Sequence, residues 1–198
     1  MSREKTLLHI GCGPKRLKHL PSYFQSGWTE VRLDIDPSVN PDITASITDL
    51  SGVEKGAYDA VWSSHNIEHL FHHEAIEMVK QVRQLLTPDG WFVVTCPDIK
   101  SAMRHALKHG LDDPLYHSAK GPITPRDVLF GHLASIEAGN EFMAHRNGFD
   151  LKSLASVFDQ SGFRKFYGHR RATNLWFIAG SFPSTEAAKA QLLAATKH

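Results

Sequence analysis

The chain has 198 residues, 22 basic and 21 acidic side chains and a formal net charge of +1, with 41% hydrophobic and 22% charged residues. That length supports one sizeable core, so a single domain over residues 1–198 is expected, and the even charge balance offers no electrostatic footprint for nucleic acid. Two cysteines, Cys12 and Cys96, exclude a disulfide framework and a multi-cysteine metal site; with no apolar run near the ~20 residues that span a bilayer, the expectation is a soluble, cytoplasmic protein without a membrane partner.

In chain order, Thr6–Ile10 is a short apolar run ending at glycine and reads as a buried strand feeding a tight loop. Pro14 and Pro21 allow only a short or interrupted helix over residues 14–28. Glu30–Ile35 reads as a second strand stopped by Pro37, Ile43–Ile47 as a shorter third and Tyr58–Ser63 as a fourth. Ile67, Leu70, Ile76, Met78, Val79, Val82 and Leu86 recur at helical spacing and predict one helix from about 66 to 86. Thr87-Pro88-Asp89-Gly90 has the residues of a tight turn, and Trp91–Cys96 follows as a strand ended by Pro97.

Residues 99–148 break this rhythm with helical fragments among glycines and prolines, too long for a simple connection, and are expected to be an inserted lid or cap. The pattern resumes with a helix from Asp150 that closes at Gly162, then two strands, Phe163–Tyr167 and Leu175–Ala179, that suit a hairpin. The alanine-rich tail 184–198 is expected to be helical over 184–195, docked or frayed. Alternating strands and helices predict an α/β fold, doubly wound around a mainly parallel sheet.

A strand ending in Gly11-Cys12-Gly13 lets the backbone turn sharply and approach a ligand closely. Asp34 lies 21 residues beyond Gly13 at the end of the second strand, the spacing at which a carboxylate meets ribose hydroxyls. The pair points to a nucleoside-containing ligand, either S-adenosylmethionine or NAD. Arg16 stands where the dinucleotide pattern needs its third glycine, which disfavours NAD.

Five blocks in order resemble class I S-adenosylmethionine-dependent methyltransferases, in particular the small type 11 family. They are Leu8–Pro14, Val31–Asp36, Ile47–Leu50, Tyr58–Ser63 with Glu68-His69-Leu70, and Leu85–Gly90. The resemblance covers roughly residues 6–97, with a weaker echo at 145–179. It implies a seven-stranded sheet with its last strand antiparallel. It also implies S-adenosylmethionine bound by His9, Gly11, Cys12, Gly13, Asp34, Ile35, Asp49, Leu50, Ser63 and Ser64. The chain departs from the family at His9, where most members carry an acidic residue, and at Lys15, where they carry a third glycine.

His65-Asn66-Ile67-Glu68-His69 also matches H-x-x-E-H, an inverted zinc-peptidase pattern in which both rings would share one helix face. The methyltransferase resemblance accounts for Glu68-His69-Leu70 without a metal, so no metal is assigned, and Glu68 is expected to cap the helix start. If the acceptor must lose a proton, a histidine is the natural base, and His65, His69 and His145 are the candidates. The expected reaction is methyl transfer to an O, N or C nucleophile of a small-molecule acceptor. The alternatives are a non-catalytic module that binds S-adenosylmethionine or a nucleoside and works with a partner, and an NAD-dependent oxidoreductase.

Overall fold

Leu7, Leu8 and Ile10 are buried on both faces of β1 (Lys5–Ile10), the pattern of a strand in the middle of a parallel sheet. The computed structural model describes residues 4–15, 20–118 and 121–196. After β1 come β2 (Trp28–Asp34), β3 (Ile43–Thr44), β4 (Tyr58–Ser64), β5 (Leu86–Pro97), a small pair β6 (Tyr116–Ser118) and β7 (Gly121–Ile123), then β8 (Phe166–Arg171) and β9 (Asn174–Gly180). The helices are α1 (His72–Leu85), α2 (Ile99–His109), α3 (Pro125–Phe130), α4 (Leu133–Glu137), α5 (Leu151–Gln160) and α6 (Thr185–Ala195).

The main sheet has seven strands in the order β3-β2-β1-β4-β5-β9-β8. Neighbours from β3 through β5 are parallel, and β9 is antiparallel to both β5 and β8. The chain therefore reverses its direction of winding between β1 and β4. Open α/β sheets bind ligands in the crevice at the carboxyl ends of such strands.

Both faces of the sheet are covered. On one, Met78, Val79 and Val82 of α1 and Leu154, Val157 and Phe158 of α5 pack with Leu8, Ile10, Val61, Phe92 and Val94. Phe158 stacks on Phe177 with ring centroids 5.5 Å apart. On the other, Ala188, Leu192 and Ala195 of α6 pack with Leu7, Ala60, Val93 and Ile178, alongside Phe24 and Trp91, so the tail docks rather than frays. Trp62 and Trp176 stack on this face with centroids 5.7 Å apart, which puts Trp62 in the core. Removing a buried Leu or Phe from such layers costs about 2–5 kcal/mol.

Three expected elements are corrected. The single helix over 66–86 is a 3₁₀ turn at Ile67–His69, an extended step at Leu70 and Phe71, and then α1 from His72. Apolar spacing continues across this break because the 3₁₀ turn also buries Ile67. Glu74, not Glu68, caps the helix start, accepting the Phe71 N–H at 2.8 Å. The third strand shrinks to Ile43–Thr44 because the hydroxyl of Ser46 takes the N–H of Thr48 at 3.2 Å and turns the chain. Residues 87–90 do not end an element but loop out within β5. Leu86 pairs with Tyr58 and Trp91 with Ala60, so four residues face Asp59 alone. The final pair forms the expected hairpin, shifted to Phe166–Arg171 and Asn174–Gly180.

Segment 99–148 departs from the sheet and returns beside its own start. Asp98 bridges to Phe149, and the N–H of Ile99 donates to the Phe149 carbonyl at 2.9 Å. Among the described residues no helix is long and apolar enough to cross a membrane.

Candidate functional site

The loop after β1 turns on two glycines in the left-handed region, Gly11 at φ +63° and Gly13 at φ +56°, a conformation that costs an L side chain about 1–2 kcal/mol. The N–H groups of Gly11 and Cys12 converge on the Leu33 carbonyl at 2.8 and 3.1 Å, binding the loop to the end of β2. Gly13 donates its N–H to Asp34 Oδ2 at 2.8 Å, and the Asp36 N–H reaches Asp34 Oδ1 at 3.0 Å. The two motifs separated by 21 residues are thus in direct contact. A carboxylate has about four acceptor sites, so Asp34 keeps capacity for further donors. Among the described residues, a side chain added at Gly13 would meet no atom within 4 Å.

Two residues that sequence reasoning passed over complete this loop. Arg32 is buried, and its guanidinium donates to the carbonyl of Gly13, to Asn40 at 2.7 Å and to Val39 at 3.2 Å. Its signal was a cation between Val31 and Leu33, the apolar pair of the strand. Asn66 donates through Nδ2 to the Ile10 carbonyl at 3.1 Å, the Ser63 hydroxyl at 3.2 Å and the Ser64 carbonyl at 3.0 Å. Nothing in the sequence pattern marked it.

The remaining predicted cofactor residues divide. His9 is buried, with Nδ1 held by Glu30 Oε1 at 2.7 Å across β1 and β2. Cys12 is buried between the glycines, and burial pushes its thiol up to about 11 against the field of Arg32, so it is a packed thiol. Cys96 is raised by burial as well. Ser63 is fully buried and Ser64 partly so at the carboxyl end of β4. Ile35 is 45% exposed beside Asp34. Asp49 is exposed and takes the Ser51 N–H at 3.1 Å, which holds its carboxyl below the usual range. Leu50 is buried, its N–H donating to Gln81 of α1 at 2.7 Å. Arg16 lies outside the described residues.

A second group gathers after β4. His65 does not lie on a helix: it sits at φ +55°, its N–H bound to the Thr95 carbonyl at 2.9 Å. His65 and His69 therefore do not present two rings on one helix face, the arrangement that a zinc reading of H-x-x-E-H would need. His69 instead meets His145, returning from segment 99–148, with ring centroids 4.9 Å apart. His69 Nδ1 donates to the Ala144 carbonyl at 3.0 Å, and His145 Nδ1 to the Val128 carbonyl at 2.9 Å. A carbonyl can only accept, so Nδ1 of each ring carries a proton, and in the neutral ring the lone pair is on Nε2.

Glu68 is buried at 2% exposure, and its backbone carbonyl takes the N–H groups of Arg146 and Asn147 at 3.0 and 3.1 Å. Those bonds pin the return of the segment onto the end of β4. Among the described residues neither carboxylate oxygen of Glu68 has a hydrogen-bond partner; His65 Nδ1 stands 3.3 Å from Oε1. Burial pushes the Glu68 carboxyl up, but His65, His69 and His145 together outweigh it and hold it below the usual range. Burial pushes the His145 imidazole down, against the pull of Glu68.

Known proteins place this geometry in context. A family model described as "Methyltransferase domain" matches residues 2–166. No curated protein matches the chain. Solved structures share its fold at low identity. One is a possible exported protein from Bordetella parapertussis, 17% identical with a TM-score of 0.54, covering 89% of this chain and 61% of that one. The PH0226 protein from Pyrococcus horikoshii OT3 is 14% identical with a TM-score of 0.58, covering 90% and 82%. The 1,6-didemethyltoxoflavin-N1-methyltransferase of Burkholderia thailandensis, solved with 1,6-didemethyltoxoflavin and S-adenosylhomocysteine, is 15% identical with a TM-score of 0.53, covering 89% and 71%.

Proposed function

The chain belongs to the methyltransferase domain family as an S-adenosylmethionine-dependent enzyme, and we propose that it methylates an O, N or C nucleophile of a small-molecule acceptor held against Glu68, His69 and His145. The observation that carries this reading is the contact between the Gly13 N–H and the Asp34 carboxylate at the carboxyl ends of β1 and β2. That contact joins the two parts of a nucleoside site where the winding of the sheet reverses.

The residues suit the cofactor. No described residue fills the space over Gly13, and Asp34 retains acceptor capacity for the two ribose hydroxyls. Ile35, Asp49 and Leu50 border the adenine in this reading. His9, Gly11, Cys12, Ser63 and Ser64 surround the methionine end, where His9 brings no negative charge of its own. When bound, the cofactor supplies a sulfonium methyl group, which the nucleophile takes by in-line displacement.

The chain's own contribution is alignment and exclusion of water. Asn66 ties the two halves together: it lies against Gly11 and bonds Ser63 and Ser64, and Glu68 follows two residues later. The acceptor's proton passes to an imidazole nitrogen of His65, His69 or His145. For His69 and His145 that nitrogen is Nε2, since Nδ1 is engaged with a carbonyl. In this reading segment 99–148 covers this end as a cap, and the protein works in the cytoplasm.

Titration of the purified chain with S-adenosylmethionine, S-adenosylhomocysteine and NAD tests the cofactor site. Saturable binding of the first two is expected, and none of either at millimolar concentration would sink the reading. Labelled S-adenosylmethionine incubated with cell extract then identifies the acceptor. Tight product binding with no labelled product in any extract would favour a non-catalytic binding module.

A further inference from the structure

We infer that Glu68, His69 and His145 form a binding site for one divalent transition-metal ion, with zinc as the reference case. One ligand atom from each residue lies within 4.8 Å of the others. The donor set, two imidazoles and a carboxylate, is that of open zinc sites, which keep a further position for water or substrate.

Two independent features separate this trio from a chance cluster. The first is Glu68. Its carboxylate is buried, and both oxygens lack a hydrogen-bond partner. A carboxylate enclosed in that position needs a cation or several donors, and among the described residues the side chain nearest to it that the contacts show is His65, with Nδ1 3.3 Å from Oε1. The second is the pair of imidazoles. Both rings are fixed through Nδ1 on backbone carbonyls, of Ala144 and Val128. Metal-binding histidines are held in this way, the bond setting the tautomer and turning Nε2 toward the ion. Ligand atoms around zinc stand about 3.3 Å apart for bonds near 2.0–2.1 Å, so atoms within 4.8 Å of one another close by at most about 1.5 Å on binding. The pair that H-x-x-E-H would set on one helix face, His65 and His69, does not form, because His65 lies off any helix. His145 supplies the second imidazole from a different part of the chain.

The site lies at the carboxyl end of β4, at a narrow cleft lined by Glu68, Pro97, Val128, His145 and Phe149. Its functional meaning rests on the methyltransferase reading. An open position there suits an acceptor that carries an oxygen ligand, a hydroxyl, enol or carboxylate, which the ion would orient. His65 stays outside the ligand set as the residue available for the proton.

The test uses the whole chain, stripped with a chelator. Zinc uptake is measured by competition with a chromophoric chelator, and Co2+ uptake by its visible absorption bands. One ion per chain is expected, with affinity reduced at least about ten-fold in Glu68→Gln and in His145→Ala. Metal-free thermal melts of both variants establish that they fold, and His145→Ala decides the matter if Glu68→Gln does not. No uptake, or uptake unchanged in a folded variant, overturns the site; the second result would assign the ion to other histidines. S-adenosylhomocysteine is titrated into the same preparations. Its binding without metal uptake overturns the metal site alone, whereas metal uptake without its binding supports the site and overturns the methyltransferase reading of the glycine loop.

Discussion

The side chain of Asn66 occupies the space that a Cβ on Gly11 would need, with Oδ1 2.1 Å from that position. The glycine loop after β1 and the chain after β4 are therefore fitted to each other at a distance that only glycine permits. Gly11→Ala must both enter the left-handed region and push Asn66 off the Ile10 carbonyl. The expected outcome is a loss of about 2–4 kcal/mol in stability, with weaker S-adenosylhomocysteine binding. Chemical denaturation and titration check both; a variant as stable as the parent would show that Asn66 yields freely.

Asp34→Ala removes a carboxylate that serves the Gly13 N–H and the Asp36 N–H as well as the cofactor. S-adenosylmethionine affinity should fall by about 1–3 kcal/mol through loss of charge-assisted hydrogen bonds. Calorimetric titration measures the change, and unaltered affinity would remove Asp34 from the site.

Arg32→Met keeps an unbranched stem but removes the donors to the carbonyls of Gly13, Val39 and Asn40. Destabilisation of about 1–3 kcal/mol is expected from the orphaned carbonyls, together with reduced cofactor affinity because Gly13 is no longer held. A stability loss with affinity intact would limit Arg32 to a structural role.

Asp150 caps α5, accepting the Ser153 N–H at 2.7 Å. The Lys100 ammonium and that N–H lower its carboxyl from 3.8 to about 2. A carboxyl whose folded pKa is depressed contributes stability above its unfolded pKa and loses it as pH falls through the folded value. Its contribution should thus be complete at neutral pH and disappear between about pH 4 and pH 2. Asp150→Ala should be less stable by about 0.5–2 kcal/mol at pH 7, and the difference from the parent should shrink across that interval. Denaturation at a series of pH values measures it; a constant difference would mean that neither Lys100 nor the Ser153 N–H favours the ionised carboxyl.

Much of this protein was legible in the chain because its signals are local. Thr6–Ile10 is apolar on both sides, glycine follows at positions 11 and 13, and Asp34 ends the next strand at a fixed spacing. A buried parallel strand, a tight loop and a carboxylate at a strand end follow from those facts one residue at a time. The five ordered blocks carried the methyltransferase resemblance for the same reason. The helix over 66–86 misled because a 3₁₀ turn that buries Ile67 continues the apolar spacing of the helix behind it.

Tertiary structure alone decided which side chains meet. His69 and His145 are 76 positions apart, and they come together because segment 99–148 returns through hydrogen bonds to the Glu68 carbonyl. Arg32 reaches Gly13, and Asn66 reaches Gly11, only once β1 lies between β2 and β4. Burial of Glu68 without a hydrogen-bond partner is likewise a property of the packed molecule. The one-dimensional pattern records which residues prefer the interior and where the backbone can turn. Which polar groups the interior then encloses, and against what, depends on contacts between distant elements that no local spacing encodes.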